Sequence, residues 1–165
     1  LDIEIQLRDY REIAGQFDRI VSVGMVEHVG HKNYRAYMRA AAHSLNHEGL
    51  FLCQGICRNS SAVGGDPWIK RYIFPNSMLP SVARLARAAE GALVLEDACK
   101  IGANYDPTLL AWNENFQRAW PRFADRYGER FRRMWRFYLL SCAGAFRARS
   151  LQVFSLLFSK SGCAA

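Results

Sequence analysis

Phe17-Asp18-Arg19-Ile20-Val21-Ser22-Val23-Gly24 is a β-branched run closed by glycine, and the pattern of residues after Gly24 decides the fold. Apolar side chains recur there at helical spacing through Tyr34, Tyr37, Met38, Ala41, Ala42 and Leu45. A second run, Gly49-Leu50-Phe51-Leu52-Cys53-Gln54, opens after an Asn46-His47-Glu48-Gly49 turn. Strand, helix, strand in this order marks a parallel α/β sheet.

Working outward, Ile3 to Leu7 alternates apolar and polar residues, as a half-buried strand does. Arg58 to Gly65 reads as a polar loop, and Pro75 and Pro80 bracket a short connection. A helix is predicted from Ser81 to about Glu90, and a strand from Leu93 to about Cys99. Asp106-Pro107 reads as a capped helix start, with the helix running to about Trp120 before Pro121. Arg122 to Arg147 is mostly helical by pattern, and Leu151 to Phe158 is a closing strand. The whole is an α/β, Rossmann-like sheet without its first strands. No glycine-rich phosphate loop of the kind that comes after the first strand of such sheets occurs here. The chain opens on Leu1-Asp2-Ile3-Glu4-Ile5 without a Met, so residues 1–165 are expected to be one domain cut at its amino end.

Composition narrows the function. Half of the residues are apolar and 13% aromatic, which supports a packed core and excludes a disordered chain. No apolar run reaches the roughly 18 residues that a membrane-spanning helix needs. The five cysteines (53, 57, 99, 142, 163) form no CxxC pair and fit reduced thiols of a cytosolic protein. No zinc-ligand spacing closes around the histidines or cysteines, so no metal site is expected. The net charge of +7 sits in one segment. From Arg118 to Arg149 there are nine arginines and only two acids, while the rest of the chain is neutral. Such a patch suits an anionic partner, whether phospholipid surface or nucleic acid, although a solvated helix face is the commoner meaning of a charge run.

Ligands of doubly wound sheets lie at the carboxyl ends of strands. Three polar clusters are expected there: Arg8-Asp9-Tyr10-Arg11, Gly24-Met25-Val26-Glu27-His28, and Gln54-Gly55-Ile56. An acid just past a strand is more often a helix cap than a catalyst, and periodicity alone leaves the choice open.

Four separated motifs carry a more specific signal. Phe17-Asp-Arg-Ile-Val-Ser-Val-Gly24 with Glu27-His28-Val29-Gly30 is similar to the DRIVS-(I/V)-G-x-x-EH-x-G signature of the cyclopropane-fatty-acyl-phospholipid synthases. Tyr72-Ile-Phe-Pro-Asn76 with Leu79-Pro80-Ser81, Tyr105-Asp-x-Thr-Leu109 with Ala111-Trp112, and Cys142-Ala-Gly-Ala-Phe-Arg147 resemble that family in the same order. The resemblance runs from Leu1 to about Lys160 and is nearer to the phospholipid-modifying branch than to the mycolic-acid branch.

The resemblance implies a class I S-adenosylmethionine-dependent methyltransferase fold. It also implies addition of a methylene across the cis double bond of an unsaturated phospholipid acyl chain, with bound bicarbonate as base. On the family pattern the bicarbonate holders map to Glu27, the backbone at Ile56, Tyr105 and the position of Gln54, where the family usually has His. Asp9, Tyr10 and Arg11 match a stretch near the cofactor adenosine, and Val23 a position beside it. Cys142 matches a cysteine long proposed as catalytic, though its helical neighbours Leu139, Leu140 and Phe146 favour a core role. A further cysteine ligand, the glycine loop and a lipid-binding region are expected upstream, so residues 1–165 alone are expected to be inactive. The implied partners are an anionic phospholipid membrane surface and the lipid substrate, not nucleic acid, with a homodimer also allowed. The implied location is cytoplasmic, peripheral at the inner face of the membrane. The rival readings are another small-molecule methyltransferase acting on amines or sterols, and a non-enzymatic cationic surface module.

Overall fold

The computed structural model describes residues 2–163. Four strands form one sheet: β1 (Phe17–Val23), β2 (Leu45–Arg58), β3 (Val94–Lys100) and β4 (Leu151–Ser159), in the order β1-β2-β4-β3. β1 and β2 are parallel, while β4 runs antiparallel to both of its neighbours. β1, β2 and β3 therefore share one sense, and β4 is inserted between them in the other.

Helices cover both faces, as an α/β sheet requires. On one face, α1 (Val26–Val29), α2 (Tyr34–Ser44) and α4 (Val82–Ala89) pack on Phe51, Cys53 and Cys57 of β2. On the other, α5 (Tyr105–Ala119) and α6 (Ala124–Arg147) close over Ile56 and Val153 through Leu109, Leu139 and Phe146. A short α3 (Pro67–Tyr72) lies between β2 and α4. Asp66 caps it by accepting the backbone N–H groups of Trp68 and Ile69, and Pro67 stands in its first turn.

The strands and helices that carry strong patterns fall where the sequence puts them, with specific departures. Ile3 to Leu7 is not a strand. Ile5 and Leu7 are fully exposed, and no strand among the described residues pairs with the segment. An alternating pattern cannot form a strand without a partner to complete its hydrogen bonds. Leu1, the first residue of that opening segment, lies outside the described residues. The Asn46–Gly49 turn is absorbed into β2. Phe17 pairs with Leu45 but Arg19 with Leu50, so three extra residues of β2 bulge against β1. Asp106 is not the cap of α5, which begins at Tyr105; its carboxylate instead takes two hydrogen bonds from Arg147, at 2.8 and 3.0 Å. α5 ends at Ala119, and a 3-10 turn over Trp120–Arg122 leads to α6. Gly128 breaks α6 at φ 71°, ψ 165°, a conformation that only glycine adopts without strain. Among the described residues no helix is long and apolar enough to cross a membrane.

Candidate active site

The site grows from the carboxyl end of β1. Gly24 turns the chain at φ 66° and donates its N–H to the Gln54 carbonyl, 3.0 Å away, so the turn is pinned to β2. α1 comes next and carries Glu27. Its backbone carbonyl accepts from Met78 N–H at 2.8 Å, which ties α1 to the connection between α3 and α4. The Glu27 side chain is buried. Its Oε1 accepts from the Ile56 N–H at 2.7 Å, while its Oε2 has no partner among the described residues. An unpaired buried carboxyl oxygen costs free energy, so something that donates to it is expected to bind.

Glu27 faces a cavity of about 330 Å³ between the sheet rim, the α3 segment and the α5–α6 pair. Ile56, Tyr105 and Cys142 line the same cavity. Its further walls include Leu79, Leu109, Trp112 and Phe146, so the space is mainly apolar with a few polar groups. Tyr105 opens α5 and its ring lies 5.2 Å from that of Phe146. The Cys142 thiol, on α6, is half-buried, and burial raises its pKa. A thiol held protonated suits a wall residue better than a nucleophile.

Gln54 stands apart. The third polar cluster does not lie past a strand end, because β2 continues to Arg58. Gln54 shares a strand face with Ile56, one pleat back, and its amide donates to Ser155 Oγ at 3.1 Å. It is not among the residues that line the cavity.

A second cavity of about 440 Å³ lies against β1 and α2, and Tyr10 and Val23 line it. Ser22 lines it too, and its buried hydroxyl makes no hydrogen bond among the described residues. Asp9 caps the 3-10 turn Tyr10–Glu12 and forms a 2.7 Å ion pair with Arg11. Hydrogen bonding from Arg11 lowers the Asp9 pKa to about 2. Neither Asp9 nor Arg11 lines this cavity. Among the described residues no three His, Cys, Asp or Glu side chains gather as a metal site.

The sequence places Gly55 in a rim cluster and Ser22 in a motif, but the role of neither is legible there. Gly55 gives Glu27 its room, and its only signal is a glycine inside an otherwise β-rich run. Ser22 is hidden as one polar residue on a strand.

Solved structures that share this fold include cyclopropane synthases. The cyclopropane synthase MmaA2 from Mycobacterium tuberculosis superposes with a TM-score of 0.83 at 22% identity, covering 92% of this chain and 58% of that one. The mycolic acid cyclopropane synthase CmaA1 complexed with SAH and CTAB gives 0.82 at 25% identity, again over 92% of this chain and 58% of that one. The fold is thus part of the Rossmann-like class I fold of S-adenosylmethionine-dependent methyltransferases. A family model described as mycolic acid cyclopropane synthetase matches residues 2–156, and the chain belongs to that family. It is 52% identical over 160 residues to the cyclopropane-fatty-acyl-phospholipid synthase of Escherichia coli (strain K12), covering 97% of this chain and 42% of that one. It is 33% identical to a probable fatty acid methyltransferase of Pseudomonas putida, with 96% and 42% covered. The chain therefore spans about two fifths of the length of these curated relatives.

Proposed function

We propose that the full-length polypeptide carrying this sequence converts the cis double bond of an unsaturated phospholipid acyl chain into a cyclopropane ring. The observation that carries this reading is the buried Glu27 carboxylate, whose Oε2 has no partner among the described residues, in the wall of a mainly apolar cavity that Tyr105 also lines.

S-adenosylmethionine, when bound, supplies the methyl group; of the residues present, Ser22, Val23 and Tyr10 would face it. Asp9 and Arg11 would hold the approach to that cavity, fixed on each other by their ion pair. Methyl addition to one alkene carbon leaves a positive charge on the other. The apolar walls keep water from trapping that charge, and the faces of aromatic side chains such as Tyr105 and Phe146 stabilise it. A proton must then leave the former methyl group so that its bonding pair closes the ring.

The residues fit bicarbonate as the base for that proton. A bicarbonate hydroxyl suits Glu27 Oε2 as its acceptor, and a bicarbonate oxygen suits the Tyr105 hydroxyl as its donor. Ile56 serves through Glu27, because its N–H is already given to Oε1. Cys142 serves as a cavity wall. The exposed arginines of α6 and its flanks favour work at an anionic membrane surface, on the cytoplasmic face.

Product analysis tests the reading. The full-length enzyme, given S-adenosylmethionine and a monounsaturated phospholipid, should yield a lipid heavier by one methylene with its unsaturation lost. A product methylated on its polar head group would instead place the enzyme with the amine methyltransferases.

A further inference from the structure

The solvent end of the first cavity is built differently from its buried end. Arg58, Gly64, Gly65, Asp66 and Lys70 line it there, and Gly65 and Asp66 are exposed while Glu27 is buried. Two cations and one acid meet at this rim. The acid is committed, since Asp66 Oδ1 accepts from both Trp68 and Ile69 N–H at 2.9 Å. Arg58 gives one guanidinium N–H to the Gly64 carbonyl at 3.2 Å. Lys70 is half-buried, and its ammonium makes no hydrogen bond or ion pair among the described residues. Its stem is held close over Gly65, where a Cβ would lie 2.9 Å from Lys70 Cε. A cation placed on the wall of a mainly apolar cavity without a protein partner is poised for an anion that arrives with the cavity's occupant.

We propose that Lys70, seconded by Arg58, binds the phosphate of the phospholipid whose acyl chain occupies the cavity. The inference rests on reading the cavity as the acyl-chain site. It adds that the head group is held by charge at the rim, which makes Lys70 a determinant of substrate class. The ordinary alternative is a lysine whose ammonium only reaches for water along an apolar wall. Free phosphate would satisfy the same chemistry.

The test uses the full-length enzyme in neutral detergent micelles, which removes the general attraction of an anionic surface. Substrates are dioleoyl phosphatidylglycerol and dioleoylglycerol, with identical acyl chains and only one carrying phosphate. Lys70→Ala should raise KM for the phospholipid about tenfold, the loss expected for one charge-assisted contact. The change in kcat should be much smaller, the effect on the phosphate-free lipid several-fold less, and Lys70→Arg should restore most of the loss. An unchanged KM for phospholipid, or an equal rise for both lipids, overturns the proposal. If inorganic phosphate inhibits the parent enzyme while Lys70→Ala leaves the phospholipid KM unchanged, the site takes free phosphate and the head-group assignment falls. If the parent enzyme cyclopropanates neither lipid, the acyl-chain reading itself has failed.

Discussion

Gly55 and Glu27 face each other so closely that a Cβ on the glycine would lie 3.2 Å from both carboxyl oxygens and 2.5 Å from Val26 Cγ1. The smallest side chain there must push α1 away from β2 or turn the carboxyl group out of place. Gly55→Ala should therefore lower the rate by about tenfold or more, as a misplaced catalytic group does. It should also lower stability by about 1–3 kcal/mol, the usual cost of overpacking. Steady-state rates and thermal unfolding of the full-length variant measure both. A parent-like rate would show that the Glu27 geometry is not critical.

The sheet elements were legible because β-branched runs such as Phe17–Val23 and the helical spacing of Tyr34 to Leu45 carry their own periodicity. The Ile3–Leu7 pattern misled, since alternation reports a preference and not the presence of a neighbouring strand. The insertion of β4 against the sense of β2 and β3 leaves no local mark at all. At the site, Glu27 could be placed at a strand end from the chain alone, but its bond to Ile56 joins residues 29 apart. The meeting of Tyr105 and Cys142 with them depends on the packing of α5 and α6. Only the motif resemblance brought these residues together beforehand. It also grouped Gln54 with them, where the structure bonds the amide to Ser155.

The cysteines give a pH test. Burial pushes the Cys53 thiol up to about 11 and the Cys57 thiol up to about 12, from an ordinary 9.0. Both stay protonated in the folded state at pH values where the unfolded chain has begun to ionise. Their contribution to stability is whole below about pH 9 and is lost as the pH climbs through 11 to 12. Melting temperature should thus fall on the alkaline side of pH 9. Iodoacetamide at pH 8 should label exposed Cys99 and Cys163 first, and Cys53 and Cys57 only after denaturation. Early labelling of Cys53 would contradict the packing of β2.

The basic segment separates into structural and free arginines. Arg132 donates to Gln117 Oε1 at 2.8 and 3.1 Å and lies over the Trp120 ring, so it joins α6 to α5. Arg130, Arg133 and Arg136 are exposed. Reversing these three to Glu should weaken binding to anionic vesicles by at least about 1 kcal/mol per site and reduce its salt sensitivity. Flotation with vesicles across a salt series measures this. Unchanged binding would make the segment a solvated face.

Gln54 tests the border of the pocket. Held by Ser155 and away from the cavity lining, its amide should matter for packing more than for chemistry. Gln54→Ala should cost about 0.5–1.5 kcal/mol of stability, a typical net hydrogen bond, and leave the rate within a few-fold. Gln54→His should be active and gain no new inflection near neutral pH. A rate loss of about tenfold or more in Gln54→Ala, without loss of fold, would move the side chain into the anion pocket.

In the proposed mechanism Glu27 positions the base by its free oxygen. Glu27→Gln keeps the size of the side chain and, with its amide oxygen toward Ile56, the existing hydrogen bond. The oxygen that would accept from the proposed anion becomes a donor. Cyclopropanation of monounsaturated phospholipid vesicles by the full-length Glu27→Gln enzyme, with lipid mass analysis in the presence and absence of added bicarbonate, is the most direct measurement. Glu27→Gln should be a folded protein whose rate is down by about a hundredfold or more, as when a base is lost, and the parent enzyme should respond to bicarbonate. Near-normal cyclopropane formation by Glu27→Gln, or a parent enzyme indifferent to bicarbonate, would contradict the proposed mechanism.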